Sequence, residues 1–426
     1  MLSFMCFTYF CCTSTVQIPR SNNSNQKSLI TNKKSLDSIL KKYVDNGSYP
    51  FLYARLESID GAILYEKSVI NKSLIPNKNI GSETWIRIWS MSKIVTITVA
   101  MDLLEDGILS LDDPVTKYIP EFQNLEVAVD KNGNSLATVK ELSLACPFDL
   151  VPVDSVMTVG HLINHLAGFY YATTDNKCIN EILADKNLPS SRDSQELINK
   201  LASLPLLQHP GQKDFYGTNT TVLGLVAERA TKKSLETLVI ERLTGPLGIN
   251  GLKYNLSSDE ELLPRFTGKD SVLRLAKDGE LDIFGPDVPS NNSENKLFLG
   301  GEGMVATAAG YSEFLRMLLN RGKLNGNQFL SSETIDQITS PQTQLTNPWG
   351  YNGYNIWVTG DSLKIKGWGD SGLWQGGGYE GTQFWIDPKR KFVGLIMSQI
   401  HSVPNNGWAY YNEFRGELYK QIFENE

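Results

Sequence analysis

Ile88-Trp89-Ser90-Met91-Ser92-Lys93-Ile94-Val95-Thr96-Ile97-Thr98-Val99-Ala100-Met101, closed by Asp102-Leu103-Leu104-Glu105-Asp106-Gly107, is the stretch on which the reading turns. Gly107 suits the left-handed residue after a helix C-terminus, and the apolar run before it predicts a buried helix beginning near Ser90. Residues three apart share a helix face, which brings the Ser90 hydroxyl and the Lys93 amine together. Burial disfavours the charged form of an amine, and a neutral amine can accept a proton from a neighbouring hydroxyl. The positive end of the helix favours both the neutral lysine and any nearby oxyanion. Taken alone, the pair also fits a capping serine followed by a lysine that snorkels to solvent. The rest of the chain has to decide.

Composition narrows the field. At 426 residues, 41% hydrophobic and 20% charged, the chain has material for a large globular core. A net charge of −7 with no local basic cluster excludes a nucleic-acid surface. The first residues, through Cys12, are apolar but too few to span a bilayer, so residues 1–28 read as a targeting segment and linker, implying export (or a cytoplasmic protein if the segment is not a signal) and no stable membrane insertion. Cys146 and Cys178, without C-x-x-C spacing, build neither a disulfide framework nor a zinc site, and whether they pair is left open.

Along residues 29–426 the pattern predicts an α/β (α+β) fold. A first helix spans Ser35 to Val44, and strands Phe51–Ile59 and Ala62–Ile70 form a hairpin around Asp60-Gly61. The middle reads as helical patches broken by turn-rich loops. Strand signals return at Tyr354–Val358, Leu363–Lys366, Thr382–Ile386 and Phe392–Ser398, before a closing helix from Asn412 to Phe423. This order implies one antiparallel sheet drawn from about 30–85 and 340–426, flanked by terminal helices, with a large mostly helical part at about 86–339. The Ser90 helix would lie at the seam, where ligand clefts form.

A serine–lysine pair needs a second proton carrier and an oxyanion hole. Tyr216 follows the Pro210-Gly211 turn and precedes a helical run, a position from which a side chain can face a cleft. Trp374-Gln375-Gly376-Gly377-Gly378-Tyr379 comes just before a strand. Glycines at the start of an edge strand let backbone N–H groups approach a substrate carbonyl, so an N–H from Gly377, Gly378 or Tyr379 would join that of Ser90.

With these residues in place, the chain resembles the serine β-lactamase-like superfamily, which comprises class C β-lactamases, D,D-peptidases and esterases. Besides Ser90-x-x-Lys93, the likeness rests on Gly107–Phe122 after the nucleophile helix and on Met157–Phe169, similar to "T-V-R-D-L-L-T-H-T-S-G-L". Pro246-Leu247-Gly248-Ile249 is similar to "P-L-G-M", and Gly300-Gly301-Glu302-Gly303-Met304-Val305-Ala306-Thr307 to "G-G-G-G-L-x-S-T". The likeness runs from about residue 35 to 425 in the family's order. It implies a β-lactamase/transpeptidase-like fold and an acyl-enzyme on Ser90, with Lys93 and Tyr216 moving its proton.

Departures from the family bear on substrate. Its Tyr-x-Asn becomes Tyr216-Gly217-Thr218, with Asn219 one residue later, so Thr218 and Asn219 are candidates for substrate contact. Its Lys-Thr-Gly or His-x-Gly is replaced by the glycine run, with Trp374 near the position of the Trp-Gly-Gly of esterase-branch members. Without that cation, small esters or lactones fit better than penicillins. The resemblance therefore implies a carboxylesterase or acyltransferase acting on a small-molecule acyl substrate without a cofactor. The alternatives are a β-lactamase or D,D-peptidase, and a non-catalytic ligand-binding member of the fold.

Three other patterns compete. His161 and His165 have the i, i+4 spacing of metal ligands, but the Glu of H-E-x-x-H is missing, and helix packing and capping account for them without a metal. Gly369-Asp370-Ser371-Gly372 imitates a protease nucleophile loop in a chain whose middle is helical rather than a double β-barrel. Gly376–Gly381 matches G-x-G-x-x-G, yet a strand rather than a helix follows it.

Overall fold

The computed structural model describes residues 29–141, 146–280, 283–344, 349–405 and 407–426, so the expected targeting segment lies outside the described residues. An eight-stranded antiparallel sheet runs in the order Thr343–Gln344, Gly350–Asn352, Trp357–Thr359, Trp374–Gly378, Thr382–Asp387, Phe392–Met397, Phe51–Ser58, Ile63–Ile70. The hairpin from the start of the chain is thus zipped to the last long strand, with Tyr53 opposite Met397 and Ser58 opposite Phe392. Its turn is at Asp60-Gly61, where Gly61 has φ +87°. This is the α/β class expected, with the early and late strands in one sheet.

Side-chain alternation sets the layers. Phe384 and Trp385 are neighbours on one strand and point to opposite faces. Phe384 packs on Tyr311 of the helix Ala308–Leu319, with ring centroids 5.8 Å apart. Trp385 packs on Tyr411 of the closing helix Tyr410–Asn425 at the same separation. The first helix, Lys33–Asp45, lies beside the closing helix and buries Leu36, Leu40, Tyr43 and Val44. It starts where Asn32 accepts a hydrogen bond from the Ser35 N–H, leaving one fewer orphan donor at its end.

The Ser90 helix spans Met91–Glu105. It is buried on nearly every side, as its apolar sequence requires, and ends at Asp106 with Gly107 at φ +69°. It packs against Asn219–Thr231 and the strand Trp374–Gly378. Among the described residues no helix is long and apolar enough to cross a membrane.

Three strand expectations are corrected. Leu363–Lys366 is not a strand. It belongs to a short helix, Asp361–Ile365, in which Leu363 is buried while Ile365 is 78% exposed, a separation that helical rotation allows and strand alternation does not. Tyr354–Val358 shortens to Trp357–Thr359 because Asn355 turns at φ +55°. The glycine run forms a strand of its own, Trp374–Gly378, inside the sheet. Only Trp374 and Gln375 of it pair with Trp357–Thr359, so Gly376–Gly378 outrun that neighbour and behave as an edge on one side.

Cys146 and Cys178 are joined as a disulfide with a Cα–Cα distance of 6.4 Å. The bridge ties the loop ahead of Asp149–Pro152 to the start of the helix Lys177–Lys186. Closing a loop with a sequence separation of 32 residues restricts the unfolded chain. The paired Cys146→Ser, Cys178→Ser variant is expected to lose about 3 kcal/mol of unfolding free energy, measured by urea titration under non-reducing conditions.

Candidate active site

Trp89, immediately before the Ser90 helix, has φ +47°, a conformation costly for an aromatic residue. It is buried, held edge-on against Tyr379 at 5.7 Å. This turn sets Ser90 at the helix start, where the first N–H groups have no intrahelical partner. Ser90 does not cap the helix with its side chain, so the bland reading of a capping serine fails.

The Ser90 hydroxyl instead meets two proton-carrying groups. Tyr216 donates its hydroxyl to Ser90 Oγ at 2.8 Å, and Lys93 Nζ stands 3.2 Å from the same oxygen. Lys93 is fully buried and lies 5.0 Å from the centre of the Tyr216 ring. It does not snorkel. Its surroundings are not purely apolar, however. Lys93 Nζ also donates to the Tyr171 hydroxyl at 2.8 Å and the Gly301 carbonyl at 2.9 Å, and pairs with the Glu302 carboxylate at 3.3 Å.

Tyr216 is held by its surroundings. The segment passes so close to Phe169 that a Cβ on Gly217 would lie 2.0 Å from the Phe169 carbonyl oxygen. The His165 ring stacks on the Tyr216 ring at 4.9 Å, and Asn219 and Asn355 each contact one of its nitrogens at 3.2 Å. Burial, then the charge of Lys93, pushes the His165 imidazole down to about 3 despite the bond to Asn355. The ring is therefore neutral at ordinary pH, with Nδ1 accepting from Asn219 and Nε2–H donating to Asn355.

Ser90 opens into a cavity of about 610 Å³. Gly376, Gly377, Gly378 and Tyr379 line it from the strand opposite, and Ile94, Tyr171, Trp357 and Phe384 supply apolar wall. A side chain at Gly378 would meet the Ile88 carbonyl oxygen at 2.3 Å, so glycine is what lets this strand press against the turn before Ser90. Among the described lining residues Asp214 is the one carboxylic acid, and burial raises its carboxyl. No Lys or Arg lines the cavity there.

Three expected substrate contacts are corrected. Thr218 and Asn219 are buried where the helix Asn219–Thr231 begins, and Asn219 spends its amide on His165 rather than on the cavity. Trp374 does not line the cavity, and Gln375, which does, lies on the Trp385 face of the sheet and accepts from Arg415 of the closing helix. Tyr171 and Glu302 went unread. Nothing distinguishes Tyr171 among 17 tyrosines, whereas an acid within a glycine run was a visible signal.

The competing motifs are structural. His161 closes a capping box with Thr158, and the helix Val159–Ile163 ends before His165, which turns away at φ +55°. Asp370 pairs with Arg390 at 2.9 Å, well inside the fold.

A family model described as Beta-lactamase matches residues 54–412. The chain is 29% identical over 334 residues to Protein Rv1367c of Mycobacterium tuberculosis, covering 74% of this chain and 78% of that protein. It is 24% identical over 412 residues to lovastatin esterase of Penicillium rubens, covering 91% and 98%. A solved structure described as EstCE1, a hydrolase with promiscuous acyltransferase activity, matches with a TM-score of 0.73 at 20% identity, covering 92% of this chain and 98% of that one.

Because His165 is held neutral when folded and takes up a proton more readily when unfolded, its share of stability is complete above about pH 6.5 and is lost as the pH falls towards 3. Urea unfolding between pH 7 and 4 is expected to show a loss on the order of a few kcal/mol, with the slope reduced in His165→Gln.

Proposed function

The chain belongs to the Beta-lactamase family, and from that premise we propose that it is a carboxylesterase or acyltransferase for small esters or lactones, working through an acyl-enzyme on Ser90. That it is an enzyme of the serine-hydrolase type follows from the family and from its esterase and acyltransferase relatives. The finer reading is carried by one observation: a single hydroxyl sits between a buried amine at 3.2 Å and a phenol at 2.8 Å, at the wall of an apolar cavity.

Ser90 Oγ attacks the acyl carbonyl carbon while its proton passes to the Lys93–Tyr216 pair. The negative charge on the former carbonyl oxygen is met by the Ser90 N–H and an N–H from Gly377–Tyr379. Collapse breaks the bond to the leaving alkoxide, which takes the proton back through Tyr216. Water then attacks the acyl-enzyme and releases the acid, or an alcohol attacks and leaves as a new ester, and Ser90 regains its proton. His165 holds Tyr216 in place by stacking and donates no charge.

The lining favours esters over β-lactams. A β-lactam carboxylate entering the cavity meets no cation among the described lining residues and one acid, Asp214. The Cys146–Cys178 bridge supports export to an oxidising compartment.

Ser90→Ala is expected to lower turnover of a short-chain p-nitrophenyl ester by about 10³-fold or more and to abolish fluorophosphonate labelling. Wild-type protein that takes no label supports a non-catalytic binding role instead. With intact protein, the ester is expected to be turned over at higher kcat/KM than a chromogenic cephalosporin; the reverse ranking would reassign the site to β-lactams.

A further inference from the structure

We infer that Glu302 is a positioning residue for acyl transfer, whose carboxylate holds the Lys93 amine on the Ser90 hydroxyl and balances the charge of the proton that amine carries. The inference rests on the reading of Ser90 and Lys93 just proposed. The run "G-G-G-G-L-x-S-T" that Gly300–Thr307 resembles has glycine at its third position, where this chain carries Glu302.

Glu302 is fully buried, and both of its oxygens are occupied. Oε1 accepts from the Tyr171 hydroxyl and faces Lys93 Nζ at 3.3 Å, while Oε2 accepts from Thr221 Oγ1 at 2.5 Å. The backbone around it is pinned on both sides. Thr96 donates to the Gly300 carbonyl at 2.6 Å, Gly301 N–H donates to Thr221 Oγ1 at 3.1 Å, and Asn291 donates to the Gly303 carbonyl at 2.8 Å. Met304 N–H donates to Ser92 Oγ at 3.1 Å, which ties the run to the nucleophile helix itself. A long side chain anchored so closely has little freedom, and neither has the amine it holds.

The carboxylate does not line the cavity and makes no bond to Ser90, so it acts through Lys93. In the unprotonated form of Lys93 that accepts the Ser90 proton, the N–H bond that forms as the O–H bond breaks creates a positive charge in a buried site. An unpaired buried charge costs several times more than a paired one, and Glu302 supplies the pair. When the leaving alkoxide takes the proton, the amine returns to its starting state and Glu302 is unchanged. Tyr171 is kept protonated by burial and by Glu302, so it bridges the amine and the acid as a neutral donor.

The test uses the full chain and a p-nitrophenyl ester, with folding followed by thermal melting. The charged and titratable groups facing the Lys93–Glu302 pair are Tyr171, Tyr216, His165 and Tyr254. Glu302→Gln keeps the shape and removes the charge. Its kcat is expected to fall about 10- to 100-fold with KM within about twofold. The acid limb of its kcat/KM profile is expected to move to lower pH, because a neutral amide no longer favours the protonated amine. Thr221→Val, which leaves the acid but removes its donor, is expected to lose about 3- to 10-fold with the same split, and it decides the matter if Glu302→Gln does not fold. An unmoved profile with kcat within twofold, or a rise confined to KM, overturns the inference while the esterase reading stands. A wild type that neither hydrolyses the ester nor takes a fluorophosphonate label overturns both.

Discussion

A primary amine enclosed at the start of an apolar helix is the constraint around which this protein is organised. Lys93 has no solvent to satisfy it, so every hydrogen-bonding position has to come from the fold. The Ser90 hydroxyl comes from the same helix turn, Tyr171 from the segment after Gly168, and Gly301 with Glu302 from a run more than 200 residues away. An isolated buried ammonium is too costly to persist. The convergence of these segments is therefore a condition of the helix being buried at all.

The sheet makes that convergence geometrically exact enough for chemistry. Pairing the first hairpin with the last long strand closes the chain on itself, and the intervening helix Ala308–Leu319 packs on the face that carries Phe384. Glycine in Trp374–Gly378 allows the sheet to press on the turn at Trp89, and Gly217 allows the Tyr216 segment to press on Phe169. Two close backbone approaches thus bring the glycine strand and the Tyr216 phenol to one hydroxyl. A strained residue, Trp89, lies between them, which is where strain is commonly kept.

The cavity's chemistry follows from the same packing. Aromatic and aliphatic wall surrounds a small number of polar groups, an arrangement that suits an uncharged apolar ligand. The neutral His165 fits this economy. It gives Tyr216 a rigid stacking surface while adding no positive charge beside Lys93.

Much of this was legible one residue at a time. The apolar run with Gly107 predicts the buried helix, the three-residue spacing predicts that Ser90 and Lys93 meet, and Asp60-Gly61 predicts the hairpin, because each depends on local periodicity or turn chemistry. What the sequence by itself determined was the buried Ser90 helix, the fold class and the lack of a cation in the glycine run. Only the tertiary structure decided that Asn219 braces His165 instead of lining the cavity, that Gln375 accepts from Arg415 of the closing helix, and that Glu302 answers Lys93. The physical reason is that burial, charge pairing and the choice of strand face are set by segments distant in the chain, and no local pattern encodes which of them will meet.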